Sequence, residues 1–149
     1  MSELAPWSEP LLPEWIDYNG HLSEGYYVLV FGHATDAVMN QIGMTPEYLV
    51  ETGTSLYTVE AHVRYLDQVP PDATLEVRSS IIGGGAKTLW IWHELWVDER
   101  LRATEEVLML HVIGGEGARA TAFPPGLAAR IDALRTDPPA GAGGRIAPR

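Results

Sequence analysis

Trp15 to Ile42 reads WIDYNGHLSEGYYVLVFGHATDAVMNQI, a short polar turn that runs directly into a long apolar periodicity. From Glu24 onward, Tyr27, Val30, Phe31, Ala34, Val38 and Ile42 recur at the 3.6-residue spacing of a helix buried along one stripe. Gly43 is placed to end it. Just upstream, Asp17, Asn19 and His21 put a carboxylate, an amide and an imidazole within five residues. Asn19-Gly20 is a turn dipeptide and Ser23 a helix cap, so the first turn of the helix offers unpaired N–H groups close to Asp17. That geometry suits the polarisation of a carbonyl. Asp, Asn and Gly are also ordinary turn residues, so the spacing alone leaves a solvated turn as the competing reading.

Working outward, residues 1–10 carry two prolines and little periodicity and read as an irregular arm leading to a short strand at about 11–16. Thr45-Pro46-Glu47 reads as a cap followed by proline at the first helical position, opening a short helix to about Glu51. Four strand patterns follow. Tyr57, Val59, Ala61, Val63 and Tyr65 interleave with polar residues, as do Leu75, Val77, Ser79 and Ile81. Leu89 to Val97 sets Trp90, Trp92 and Trp96 opposite Leu89, Ile91, Leu95 and Val97, and about 103–113 is apolar on both faces toward its end. Pro70-Pro71-Asp72, Gly83-Gly84-Gly85 and Asp98-Glu99-Arg100 separate them as short turns, which predicts antiparallel neighbours. Gly126 to Arg135 reads as a terminal helix, and the Pro/Gly/Ala-rich stretch 136–149 as a disordered tail. One arrangement satisfies this order, an α+β domain over residues 1–135 in which an antiparallel five-stranded sheet curls around the long helix. The aligned tryptophans then fall on the outer face, met either by a second copy of the chain or by the terminal helix.

The 149 residues contain no cysteine, which removes disulfide frameworks, thiolate metal sites and cysteine nucleophiles. A net charge of −10, with Lys87 the single lysine, argues against a nucleic-acid surface, which needs a clustered positive field. Arg64, Arg78, Arg100 and Arg102 still suffice for one nucleotide-bearing ligand. No apolar run follows a basic segment and no stretch of 18 apolar residues occurs, which predicts neither a signal peptide nor a membrane span and a cytoplasmic protein. Gly83 to Thr88 lacks the glycine a phosphate loop needs before its lysine, and reads as a hairpin turn. His62, His93 and His111 lack metal-ligand spacing, no Gly-x-Ser-x-Gly elbow is present, and the chemistry calls for no metal or cofactor.

With those residues in order, the chain resembles the hotdog-fold acyl-CoA thioesterases over about residues 11–135. The most specific part is Asp17-Tyr18-Asn19-Gly20-His21 followed by Tyr27, which matches the family's Asp-x-Asn-Gly-His…Tyr pattern at the turn entering the central helix. It is most similar to the 4-hydroxybenzoyl-CoA thioesterase group, and within that to the betainyl-CoA thioesterases of carnitine breakdown. The wording of Trp15 to Tyr27, Phe31 to Asp36 and Tyr57 to His62 supports the narrower match. The resemblance implies Asp17 as the catalytic carboxylate and Asn19 and His21 as groups that orient it or a water. It implies the Glu24 backbone N–H as the donor that polarises the thioester carbonyl. Many relatives carry Asn-Asn where this chain has Ser23-Glu24, but a backbone donor survives that change. Gly32 stands where the 4-hydroxybenzoyl enzyme places an acid, which speaks against that substrate.

Thioester hydrolysis needs a nucleophile or base, an oxyanion donor and a hold on the acyl group. For a quaternary ammonium acyl group such as betaine, aromatic faces and a carboxylate fit best, with Trp15, Tyr18, Tyr27, Tyr57 and Asp36 as candidates. The implied partners are an acyl-CoA and a second copy of the chain, as homodimer or homotetramer. Two rival readings remain. A hydratase or dehydratase of the same fold uses Asp-x-Asn-Pro-x-His, whereas here His21 follows Asp17 by four residues with no proline. A non-catalytic acyl-CoA-binding module would have no need of the Asp17, Asn19, His21 set.

Overall fold

The computed structural model describes residues 3–143. A helix that is apolar along one stripe must bury that stripe, and the 19-residue α1 (Glu24–Ile42) does so in the hollow of an antiparallel sheet. Val30, Phe31, Ala34, Val38 and Ile42 are all buried, and each of the four larger side chains taken from water contributes about 1.5–3 kcal/mol. Gly43 ends α1 in the left-handed conformation, with φ 99°. In the short α2 (Pro46–Thr52), the Thr45 side chain accepts from the Tyr48 N–H as the cap.

The sheet runs in the order β1-β3-β4-β5-β2, formed by β1 (Trp7–Pro10), β2 (Thr54–Tyr65), β3 (Thr74–Gly84), β4 (Thr88–Val97) and β5 (Arg100–Ile113). A two-residue β6 (Arg119–Ala120) adds to β5 as a sixth strand beyond the five expected. No periodicity can announce an element that short. The strand expected at 11–16 lies earlier, as β1, paired from Trp7↔Val77 to Pro10↔Thr74. Pro13 to Trp15 instead forms one 3-10 turn. Proline explains the shift, since Pro10 is tolerated at the end of an edge strand and Pro13 at the start of a helical turn.

One irregularity decides which side chains of β2 can reach the helix. A bulge between Thr58 and Glu60 inverts the alternation. Before it, Leu56 points into the core and Tyr57 away from it. After it, Val63 packs on the core around α1. The helix α3 (Pro125–Leu134) closes the other end through Leu127, Ile131 and Leu134, which pack on Val38, Met39 and Ile42.

On the outer face, Glu94 accepts from the indole N–H groups of both Trp92 and Trp96 at 2.9 and 3.0 Å, and Arg78 lies over the Trp96 ring. The chain after α3 crosses this face, where Thr136 N–H donates to Ile81 O at 2.8 Å, Gly141 passes beside the Trp92 ring and Gly143 N–H meets the Glu106 carboxylate. Trp92 is therefore buried by this crossing segment rather than by α3. The rest of the expected tail, 144–149, lies outside the described residues. No described helix is long and apolar enough to cross a membrane.

The helix is fixed to the sheet by a buried imidazole. Thr35 Oγ1 gives its proton to Phe31 O at 3.0 Å, so it must accept from His93 Nε2–H at 2.8 Å, and His93 Nδ1 then accepts from Ser79 Oγ at 2.7 Å. His93 is thereby neutral, and burial pushes its imidazole down to about 3. The unfolded chain takes up this proton near 6.5 and the native state refuses it, so stability falls as pH drops from about 6.5 toward 3. Ring resonances of His93 that stay unchanged between pH 8 and 5, together with urea midpoints that fall below pH 6, are the expected result.

Candidate active site

The turn that enters α1 is closed by its own backbone. Asp17 N–H donates to His21 O at 3.1 Å, Gly20 N–H to Asp17 O at 3.0 Å and Ser23 N–H to Trp15 O at 2.9 Å, with Ile16 and Leu22 bridged across. Gly20, at φ 80°, occupies a conformation that a side chain would strain. Asp17 Oδ1 accepts from the Asn19 N–H at 2.8 Å, which fixes the carboxylate from within the turn. Leu22 N–H reaches Val69 O at 3.1 Å and ties the turn to the loop after β2.

Asp17, Tyr18, Asn19, His21, Leu22, Ser23, Glu24, Tyr27, Tyr65 and Gln68 together line a cleft of about 400 Å³. The Ser23 side chain makes no capping bond, so the Glu24 N–H has no partner among the described residues, and Glu24 lines the same cleft as the half-buried Asp17 carboxylate. Nδ1 of His21 is sealed from solvent and has no partner among the described residues, a cost of about 1–3 kcal/mol that functional sites often carry. Burial raises the Tyr27 hydroxyl above the ordinary phenol range, partly offset by a backbone hydrogen bond at Val69, so the ring presents a neutral face.

The structure thus brings Asp17, Asn19, His21, Glu24, Tyr18 and Tyr27 to one place, with Tyr18 at the mouth, 97% exposed. It does not bring Trp15, Tyr57 or Asp36 there. Trp15 is buried behind the turn, stacked on Tyr26 at 5.5 Å. Tyr57 sits before the β2 bulge, eight residues and so roughly 26 Å along the strand from Tyr65. Asp36 is exposed on α1, twelve residues and about 18 Å from the helix start.

Along with Gln68, Tyr65 is a polar lining residue that sequence reading passed over. It donates to Glu24 O at 3.1 Å and meets Tyr27 edge-on at 4.9 Å. Its place at the end of a strand alternation was visible, but the bulge that turns it toward α1 was not. Among the arginines, Arg102 is spent on the scaffold, reaching Val97 O with Nε and Nη2 and Gln68 O with Nη1.

An antiparallel sheet wound on one helix, with an acidic turn at the helix entrance, defines a hotdog-fold protein. The chain belongs to the thioesterase-like superfamily, whose profile matches residues 11–131. It is 40% identical over 133 residues to the betainyl-CoA thioesterase of Pseudomonas aeruginosa, covering 88% of this chain and 83% of that one. It is also 40% identical over 121 residues to the L-carnitine dehydrogenase/betainyl-CoA thioesterase of Agrobacterium fabrum, where the match covers 80% of this chain but only 25% of that longer protein. A Staphylococcus aureus protein solved in complex with CoA superposes with a TM-score of 0.88 at 22% identity, covering 100% of this chain and 98% of that one, which is a likeness of fold.

Replacing Arg102 with Leu leaves Val97 O and Gln68 O without their donor beneath the cleft. Urea denaturation should show a loss of roughly 2–4 kcal/mol, and an unchanged midpoint would remove Arg102 from the scaffold.

Proposed function

We propose that the protein is an acyl-CoA thioesterase that hydrolyses betainyl-CoA to betaine and CoA. The observation that carries this reading is the shared cleft of Asp17 and the α1 entrance, in a chain 40% identical to a betainyl-CoA thioesterase over most of both lengths. The Asp17 carboxylate either adds to the thioester carbon or takes a proton from the water that does. Negative charge then gathers on the carbonyl oxygen, where the first-turn N–H groups of α1 receive it, a contribution of about 3–4 kcal/mol when such donors are well aimed. The CoA thiolate leaves without needing a strong acid. Asn19 holds Asp17 through its backbone N–H, and His21 borders the same space.

The same reading takes the working form as a homodimer through β2. Among the described residues that strand pairs only with β5, so its outer edge offers unpaired backbone groups along 12 residues. Tyr57, Val59 and Tyr65 are exposed on it, and Leu66 is exposed just after it. A second β2 pairing antiparallel would carry its Tyr57 end toward the Tyr65 end of the first. The enzyme is taken to act in the cytoplasm, since a chain without cysteine needs no oxidising compartment.

Thiol release, followed with a thiol-reactive dye over a panel of acyl-CoAs, tests the activity. Betainyl-CoA should be cleaved, and Asp17→Ala should lower kcat by about 10²–10⁴-fold. Binding without release across the panel would instead mark a non-catalytic module. Heavy-oxygen labelling in a single turnover separates direct attack from water activation. Light scattering should give a multiple of the 16.3 kDa chain mass, and a stable monomer would refute the paired edge.

A further inference from the structure

Glu105 is a carboxylate the hydrolytic chemistry leaves unused, and it is only 5% exposed. It lies on the helix-facing side of β5, directly across from His93 on β4 and from Val63 on β2. His93 cannot serve as its counter-ion, being neutral and already bonded to Thr35 and Ser79. Among the described residues Glu105 has neither an ion pair nor a hydrogen bond. A buried carboxyl without a cationic partner is costly, and burial pushes this one up to about 7.

Its position explains what could repay that cost. In the β2–β5 register Tyr65 opposes Ala103, so Tyr65 and Glu105 are diagonal neighbours on the same face, on the order of 7–8 Å apart at the backbone. The Glu105 charge is felt at the Tyr65 hydroxyl, which it helps to raise after the larger effects of burial and of the Glu24 carboxylate. Tyr65 and Tyr27 meet edge to face on the cleft wall. The cleft wall thus carries two aromatic rings, and Glu105 lies diagonally across from Tyr65 on the same face of the sheet. Aromatic faces attract a quaternary ammonium, which donates no hydrogen bonds, and a carboxylate behind them adds long-range attraction in a poorly screened interior.

We propose that Glu105, acting behind the Tyr65 ring, is the counter-charge that selects an acyl group bearing a quaternary ammonium. This rests on the betainyl-CoA reading and names the residues that would make it specific. Glu105 touches no reacting atom, so its removal should alter discrimination rather than chemistry.

The test compares betainyl-CoA with 3,3-dimethylbutyryl-CoA, its neutral isostere, in which carbon replaces the ammonium nitrogen. The wild-type ratio of kcat/KM includes the greater intrinsic reactivity of the cationic thioester. That factor cancels when the ratio is compared between wild type and Glu105→Gln. The expected result is a ratio at least about tenfold lower in Glu105→Gln, with turnover of the neutral substrate retained, and weaker inhibition of that turnover by free betaine. An unchanged ratio, or an equal loss on both substrates, overturns the proposal. Should Glu105→Gln fail to fold by circular dichroism, Glu105→Met, a neutral side chain of similar length, is read by the same ratio and the same criteria. A wild-type protein that cleaves the neutral thioester but not betainyl-CoA overturns the substrate reading itself, before any variant is compared.

Discussion

The burial of α1 in the hollow of the sheet is the constraint on which the rest depends. Its stripe supplies residues to both halves of the core, Tyr27 to Ala34 at one end and Val38 to Ile42 at the other. A helix so enclosed can start and stop only where the sheet allows, and its entrance falls at the open rim. There the Glu24 and Gly25 N–H groups have no carbonyl to meet among the described residues, and the turn from Asp17 to His21 closes beside them. The His93 bridge from Thr35 to Ser79 sets how the helix is seated on β3 and β4, and so where that entrance lies.

The cleft is consequently made of pieces with separate supports. Asp17 is held from within its own turn, the α1 donors by the helix, and Tyr65 and Gln68 by β2 and the loop after it. Arg102 links the last of these to the β4–β5 turn by donating to backbone carbonyls, which makes a cation that seemed free for a phosphate part of the foundation. Arg102 is thus spent on structure, while Glu105 stays buried without a cationic partner among the described residues.

The outer face carries a different lesson. Three tryptophans aligned on one strand resemble an adhesive stripe, yet two of the indole N–H groups converge on Glu94, Arg78 covers a third of the set's rings, and the segment beyond α3 buries Trp92. Apolar side chains are exposed instead on β2, at Tyr57 and Val59, and on α1, at Val28 and Leu29.

The sequence by itself determined α1 to the residue, the Gly43 stop, the Thr45 cap, the strand order along the chain and the Asp17, Asn19, His21 turn. These are local facts, because periodicity, capping and turn chemistry act over a few residues. The tertiary structure alone decided the strand at Trp7–Pro10, whose pairing with β3 outweighs its proline, and the two-residue β6, which exists only because β5 is beside it. It also decided which tyrosine faces the cleft. One inserted residue in β2 turns Tyr57 away and Tyr65 inward, and a bulge is a property of two paired strands, unreadable from either one. Glu105 belongs to the same class: an acid in a strand reads as a wet position until the helix laid across it removes the water.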